Sequence, residues 1–360
     1  MQFLMTDFSF DINHWLFWRQ LIAWILRSAG ILSALVALTK YRSQSNTFLV
    51  TLLYSLLLII LLGNFPIDWG VGSDRNNYAN VFLHLRECDF NHLPDGNDYG
   101  FLILTWGLSR IVSVTQYFFI LSIIYVTNYF FAVLNLVKTK SFWLLIGFSL
   151  LMGFTSYNIN TTRAGLAISY MILGLSFYPS KWRMIVCLLV ACSIHGSLMI
   201  PSTMIAICYF FDKTRWYYYL WILSIPLSFF AGGYFAELFS SFSSDSRTSY
   251  LTNSDINYNI GFRIDFIVYS IVPLIVGAYY IFKKGVTNHL YHLIYNTYIL
   301  TNLFWVLVIR SDFSDRFAYL SWCMIPLVLF LPLLTLQVKV NVRKWIACIL
   351  MGEVLFLLLI

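Results

Sequence analysis

Charged residues are scarce in this chain. Asp, Glu, Lys and Arg make up 11% of its 360 residues, whereas 59% are hydrophobic and the mean hydropathy is +0.74. Soluble domains carry about 25% charged residues, so this composition excludes a soluble globular protein. Alternation of apolar and polar residues is also lacking, because segments such as 55–62 (SLLLIILL) are apolar on every face. A transmembrane barrel with a polar interior is therefore excluded as well.

Several chemical signatures are missing too. The six cysteines show neither a disulfide framework nor the spacing of a zinc site. There is no DxD pair, glycine-rich phosphate loop, GxSxG elbow or HExxH helix, which argues against a nucleotide-sugar enzyme or a metalloprotease. We expect no metal site, no cofactor and no nucleic-acid partner. The first hydrophobic segment lacks the flanks of a signal peptide and is expected to remain as a membrane anchor.

What the chain has instead is long apolar runs. A spanning helix needs roughly 20 mainly apolar residues, so the runs predict an all-α, polytopic integral membrane protein with about 11–12 transmembrane helices. We expect a single membrane domain over residues 1–360, with main loops at 65–98 and 239–263 that contain short amphipathic helices. The predicted spans lie near 20–39, 47–63, 115–137, 142–155, 164–178, a compact pair within 184–211, 216–238, 264–282, 290–309, 317–335 and 345–360.

The lysines predict the orientation of these helices. Alternating the spans across the bilayer places every lysine of the chain on one side: Lys40, Lys138, Lys140, Lys181, Lys213, Lys283, Lys284, Lys339 and Lys344. By the positive-inside rule that side is cytoplasmic. The opposite, outer face then holds residues 65–98, 156–162, 239–263 and 310–316.

Arginines occur on the outer face, where the insertion rule does not favour them. They are Arg75, Arg86, Arg163, Arg247, Arg263, Arg310 and Arg316. Guanidinium groups make bidentate hydrogen bonds to phosphate and tolerate partial desolvation. The pattern therefore predicts an anionic ligand at the outer face, with a pyrophosphate as the best-shaped candidate. The alternative is that the arginines pair with nearby aspartates for structural reasons alone.

The two long outer loops each suggest a role. In the first, a glycine turn at 70–72 precedes a helix predicted from about Asp74 to Cys88, whose apolar stripe begins at Tyr78; we expect this amphipathic helix to lie on the outer leaflet. Asp74 at its start is either a structural cap or a catalytic carboxylate. The second loop is rich in Ser, Asn, Thr and Tyr, which suits sugar binding or an ordinary connector.

Other ionisable residues stand at the ends of apolar runs. Arg163 begins a span on the outer face, where helix amides reinforce anion binding. His195 is predicted at the tip of a short hairpin, as hydrogen-bonded structure or as a proton acceptor. Six further charged residues lie at the outer ends of later spans: Arg263, Asp265, Arg310, Asp312, Asp315 and Arg316. We expect them either to bind a diphosphate or to form a structural network of salt bridges.

These segments resemble a known family. The motifs, in chain order, are GVGSD (70–74) with Tyr78, DYGF (98–101), RAGLA (163–167), SIHGSL (193–198), GFRIDFIVYSIVP (261–273) and SDRFAY (314–319). Their order and spacing are similar to those of EpsG-like and Wzy-type O-antigen polymerases over residues 68–319. Where such proteins usually have Glu-Pro before Gly-Phe, this chain has Asp98 and Tyr99, so the carboxylate is kept.

The resemblance implies glycosyl transfer at the periplasmic face of the bacterial inner membrane. The substrates would be undecaprenyl-diphosphate-linked repeat units, used without nucleotide or obligatory metal in lipopolysaccharide O-antigen synthesis, and a chain-length regulator is a possible partner. His195 is the first choice for the general base, with Asp74 and Asp98 as competitors. The pyrophosphate-binding and substrate-binding candidates are Arg163, Arg263, Arg310, Arg316, Tyr78 and Asp265.

Two other functions stay open at this point. A flippase or other secondary transporter has the same composition, although transporters usually place their polar site near the bilayer midplane between repeated halves. An O-antigen ligase would also use arginine and histidine on a lipid-diphosphate donor. The order of the motifs favours the polymerase.

Overall fold

The computed structural model describes residues 14–40, 47–67, 74–93, 98–241, 262–311, 314–336 and 338–359. These residues form helices and turns, and no strand occurs among them, which confirms the all-α prediction. The α-helices are α1 (Trp15–Lys40), α2 (Phe48–Gly63), α3 (Asp74–Glu87), α4 (Tyr99–Ser109), α5 (Val114–Val137), α6 (Ser141–Ser149), α7 (Phe154–Ile159), α8 (Thr162–Ser176), α9 (Lys181–Ile194), α10 (Met199–Phe210), α11 (Thr214–Ser241), α12 (Ile264–Ala278), α13 (His289–Leu307), α14 (Ser314–Trp322), α15 (Ile325–Thr335) and α16 (Val342–Leu359).

The helices support a membrane protein. Four helical segments of the described chain are long and apolar enough to cross a bilayer: Trp15–Thr39, Val114–Ser149, Ile264–Lys283 and Ser314–Thr335. Shorter apolar helices lie at Phe48–Gly63, Tyr99–Ser109 and Gly196–Phe210. The polytopic class is therefore confirmed, while the number of about 11–12 crossings stays a prediction.

Two predicted spans are divided in the structure, and one helix was not predicted. The predicted span 142–155 is divided into α6 and α7, and 317–335 is divided into α14 and α15. Pro326 lies in the first turn of α15, where the N–H that proline lacks would have no partner within the helix. Helix α4 was not predicted as a separate element, because an apolar run of 11 residues is too short for a span.

Helix α15 lies at the centre of the bundle. In the segment Ser314–Thr335, 94% of the most apolar window is buried inside the protein. Helices α5, α6, α12 and α13 all pack against α15. Around this centre, α5 also contacts α2 and α8, α8 contacts α9, α11 contacts α13, and α1 contacts α16. The bundle is thus wide enough to bury most of this apolar segment.

A buried polar network connects four of these helices. Asn302 on α13 donates from Nδ2 to Ser270 Oγ (3.0 Å) and to Ser321 Oγ (2.9 Å). Its Oδ1 accepts a hydrogen bond from Trp221 Nε1 (2.8 Å), and Trp322 Nε1 donates to Ser270 Oγ (2.8 Å). Since the bilayer interior offers no water, such interhelical hydrogen bonds fix the relative positions of α11–α14.

Helix α3 is the predicted amphipathic helix, and its observed range, Asp74–Glu87, agrees with the prediction. Phe82 and Leu85 of the apolar stripe are fully buried, whereas Val81 is 43% exposed. The buried side packs against α4 and α5. The apolar stripe of this helix therefore contacts other helices, whereas we expected it to lie on the outer leaflet. The reason is that α4, which was not predicted, offers it an apolar surface.

Candidate functional site

Asp98 immediately precedes α4, and the close contact between α4 and α9 fixes its position. Its carbonyl oxygen accepts the first hydrogen bonds of α4, from the amides of Phe101 and Leu102 (both 3.1 Å). Gly100 in the first turn lies against α9, because a Cβ there would be 2.4 Å from Ser193 Oγ. A side chain does not fit at this distance, so the glycine allows α4 to reach the end of α9. Asp98 is thereby brought beside His195.

The Asp98 carboxylate is the centre of the site, and it is 7% exposed. Oδ2 lies 2.8 Å from Arg163 Nη1 and 3.4 Å from His195 Nδ1, while Oδ1 accepts the backbone N–H of Gly196 at 2.8 Å. Burial alone would raise the pKa of Asp98, but the hydrogen bond with His195, the Arg163 charge and the Gly196 N–H together hold that pKa well below its usual range. The group is therefore ionised and poorly suited to accept a proton.

Arg163 is the second residue of α8, next to the break that follows α7. Gly165 allows α8 to pack directly on α7, since a Cβ there would be 2.1 Å from the carbonyl oxygen of Tyr157. The Arg163 side chain is 30% exposed. Its Nε is buried with no hydrogen-bond partner among the described residues. Asp98 thus uses only part of the guanidinium, and the remaining donors are suited to a second anion.

His195 ends α9, in the turn between α9 and α10, which agrees with its predicted place in a short hairpin. Its side chain is 15% exposed. With the ring hydrogen on Nδ1 directed to the ionised Asp98, the lone pair of the imidazole is on Nε2. This arrangement orients a histidine for general base chemistry.

Tyr78 connects this group to a second ion pair. Asp74 Oδ2 on α3 lies 3.5 Å from Arg316 Nη2 on α14. Burial raises the pKa of Tyr78; the Arg163 and Arg316 charges and a hydrogen-bonding contact with the Arg163 backbone oppose this shift, and the Asp74 charge adds to it. The Tyr78 phenol is therefore within electrostatic reach of both pairs. Direct contacts therefore join Asp98, Arg163 and His195 and pair Asp74 with Arg316, and the charges of both groups act on the Tyr78 phenol.

The other three predicted residues make contacts of their own. Arg263 holds Asp265 in a bidentate pair (Nε–Oδ1 3.0 Å, Nη2–Oδ2 2.6 Å) and stacks on the Phe266 ring. Arg310 donates from Nη2 to the carbonyl oxygen of Phe229 at 2.8 Å. The glycine turn at 70–72, Arg247, Asp312 and most of the second long loop lie outside the described residues.

One contribution to the site was not singled out from the sequence. It is the Gly196 N–H, a backbone group that no side-chain pattern reveals. Arg75, one of the arginines predicted on the outer face, makes contacts away from Asp98: it is 3% exposed, stacks on the Phe118 ring and donates to the carbonyl oxygen of Phe65 (2.8 Å). Burial lowers the pKa of Arg75 to about 9, which still leaves it charged at neutral pH.

The arrangement suits the binding of an anion next to an oriented histidine. Over the described ranges, no group of three or more His, Cys, Asp or Glu side chains is placed to hold a metal ion. A family model described as the EpsG family matches residues 21–360. No curated protein and no solved structure matches the chain.

Proposed function

The chain belongs to the EpsG family, and from this membership and the geometry around Asp98 we propose that it is an O-antigen polymerase. Family membership supports the broader class of polysaccharide polymerase. The finer proposal is a glycosyltransferase that joins undecaprenyl-diphosphate-linked repeat units in lipopolysaccharide O-antigen synthesis. The site would face the periplasm from the bacterial inner membrane, as the lysine distribution predicts.

The proposed reaction is a substitution at the anomeric carbon of the growing glycan. A hydroxyl of the acceptor repeat unit attacks this carbon, and a new glycosidic C–O bond forms. The bond between the anomeric carbon and the phosphate oxygen breaks, and undecaprenyl diphosphate leaves with the electron pair. The hydroxyl proton passes to Nε2 of His195. Asp98, which is ionised and hydrogen-bonded, stabilises the imidazolium that results.

The arginines would stabilise the leaving diphosphate. Arg163 has donors that Asp98 does not use, and Arg316 is joined to the same region through Asp74 and Tyr78. Fixed cationic donors of this kind lower a barrier by about 2.7–4 kcal/mol per donor. Arg263 and Arg310, which make separate contacts, are proposed to bind more distant parts of the lipid-linked substrate.

The observation that carries the proposal is the convergence of Arg163, His195 and the Gly196 N–H on one buried carboxylate. The direct test incubates the purified full-length protein with a synthetic lipid-diphosphate repeat unit, without nucleotide or added metal. We expect a ladder of oligomers. When lipid A is added as an acceptor, transfer of a single repeat unit to it would indicate a ligase. When the protein is placed in vesicles, movement of the substrate across the membrane without joining of repeat units would indicate a flippase. Either result would reject the polymerase.

Variants test the assigned roles. Arg163→Ala, Arg263→Ala and Arg316→Ala should abolish long chains and leave single repeat units, because each removes a cation proposed to hold the diphosphate-linked substrate. Arg183→Ala on α9, whose guanidinium stacks on Phe177, is the matched control and should leave chain length unchanged. Unaltered chain length in all three site variants would reject the assignment.

A further inference from the structure

A second pair of arginines lies on α1, away from the Asp98 group. Arg19 and Arg27 both line a cavity of about 120 Å³ between α1, α6, α7 and the end of α16. A single water needs about 10–15 Å³ in the same measure, so the cavity accommodates a group of several atoms. Its walls are mainly apolar, formed by side chains such as Ile22, Leu151 and Ile159.

The depth of Arg27 in α1 is unusual for a charged residue. It follows Trp15 by 12 residues and precedes Lys40 by 13, which places it about 18 Å from one end of the helix and about 20 Å from the other. The segment Trp15–Thr39 is a candidate membrane span, and only 33% of its most apolar window is buried inside the protein. A charge near the middle of such a span costs about 2.5–3.5 kcal/mol on insertion scales.

The contacts within the protein compensate this charge only in part. Arg27 Nη2 donates to the carbonyl oxygen of Leu357 in the last turn of α16 (2.5 Å). Its Nε is buried without a hydrogen-bond partner, and over the described ranges no carboxylate lies within salt-bridge distance of Arg27 or of Arg19. An arginine offers five N–H donors, so the Leu357 carbonyl oxygen engages only part of the Arg27 guanidinium.

We propose that this cavity binds the phosphate group of a membrane lipid between Arg19 and Arg27. Guanidinium groups recognise phosphate in a planar, bidentate geometry. The apolar walls suit the first part of a lipid chain, and the exposure of α1 gives a lipid access from the bilayer. This inference concerns binding alone and does not depend on the proposed glycan transfer.

The same chemistry has two sources, an anionic phospholipid and a polyprenyl phosphate carrier. The test adds phosphatidylglycerol, undecaprenyl phosphate or diacylglycerol to the delipidated full-length protein in detergent and measures bound lipid by native mass spectrometry. We expect at least tenfold tighter binding of a phosphate-bearing lipid than of diacylglycerol, which has the acyl chains of phosphatidylglycerol without its phosphate. Binding of both phosphate lipids assigns the site to their shared phosphate group, binding of phosphatidylglycerol alone assigns it to phospholipid headgroups, and binding of undecaprenyl phosphate alone assigns it to the carrier.

Two variants remove the site in different ways. Arg27→Gln removes the deep charge, and Ala23→Phe fills the cavity that Ala23 lines while keeping both arginines. Each should weaken phosphate-lipid binding at least tenfold, whereas Arg183→Gln removes a charge elsewhere and should not. If Arg27→Gln does not fold, Ala23→Phe still decides. Binding that is unchanged in Ala23→Phe, or diacylglycerol bound as tightly as the phosphate lipids, would overturn the proposal.

Discussion

Replacing Asp98 with Asn isolates the contribution of one charge to the site. In the wild type, Asp98 Oδ1 accepts the Gly196 N–H at 2.8 Å. The Asn side chain keeps an oxygen that can accept this hydrogen bond, so the turn after α9 is preserved. The negative charge between Arg163 and His195 is lost. The change therefore removes the ionic contacts and leaves the shape of the side chain almost unaltered.

The expected loss of stability follows from the exposure of the two partners. Breaking a fully buried ion pair from one side costs about 3–5 kcal/mol, whereas an exposed pair contributes about 0–1 kcal/mol. The Asp98 side chain is 6% exposed and that of Arg163 is 30% exposed, so screening reduces the cost to an intermediate value. We expect the free energy of unfolding to fall by about 1–3 kcal/mol.

The transfer rate should fall much more than this loss of stability explains. General base catalysis contributes about 10²–10⁴-fold, and Asn stabilises neither the imidazolium of His195 nor the required tautomer. We expect at least a roughly 100-fold decrease in the rate of oligomer formation. Thermal unfolding in detergent and the initial rate with a synthetic lipid-diphosphate repeat unit provide the two measurements.

The chain offers a matched control for this variant. Asp212 and His292 form another Asp–His pair, with Oδ2 and Nδ1 3.2 Å apart, between the start of α11 and α13. Its carboxylate side chain is 46% exposed, so Asp212→Asn should change stability by less than about 1 kcal/mol and leave transfer intact. A folded Asp98→Asn protein with the wild-type rate would refute the reasoning about the site.

Three further predictions use the same assays. Gly100→Ala should destabilise the protein by about 1–3 kcal/mol and impair transfer, because the new Cβ would meet Ser193; Gly107→Ala, with nothing within 4 Å of its Cβ, should be neutral or slightly stabilising, and equal effects of the two would contradict the contact. Arg316→Ala should slow transfer roughly 100-fold but cost at most about 1 kcal/mol of stability, since its side chain is 41% exposed; a large loss of stability with normal transfer would assign it to structure. Because the pKa of Asp98 is held below its usual value, its stabilisation is complete above about pH 4 and is lost as the pH falls through the folded pKa; the unfolding temperatures of wild type and Asp98→Asn should converge in acid, and a constant difference between them would argue against an ionised Asp98.

Much of the fold was predictable because helix formation in a membrane depends on local composition. Apolar runs gave α2 and α5 to within a residue or two, and the stripe after Asp74 gave the range of α3. The break at Cys323 within the predicted span 317–335 and the extra helix α4 were missed. The hydropathy of the segment 317–335 does not distinguish one long helix from two. The apolar run of α4 is too short to be recognised as a membrane span.

The site was predictable by residue type but not by arrangement. Outer-face arginines and His195 stand out in a chain with few charges, since each charge near an apolar run is costly. That Arg163 shares Asp98 with His195, while Arg263 pairs with Asp265, follows from which helices pack together. The close approaches at Gly100 and Gly165 decide this packing.

The sequence by itself determined the class of protein and its family, because hydropathy and short motifs are properties of neighbouring residues. Only the tertiary structure decided which ionic groups meet: residues 98, 163 and 195 belong to different helices, and their contacts depend on distances across the bundle. It also decided that Arg75 is buried and that Arg19 and Arg27 share a cavity. The burial of a charge depends on what packs around it, which no local pattern specifies.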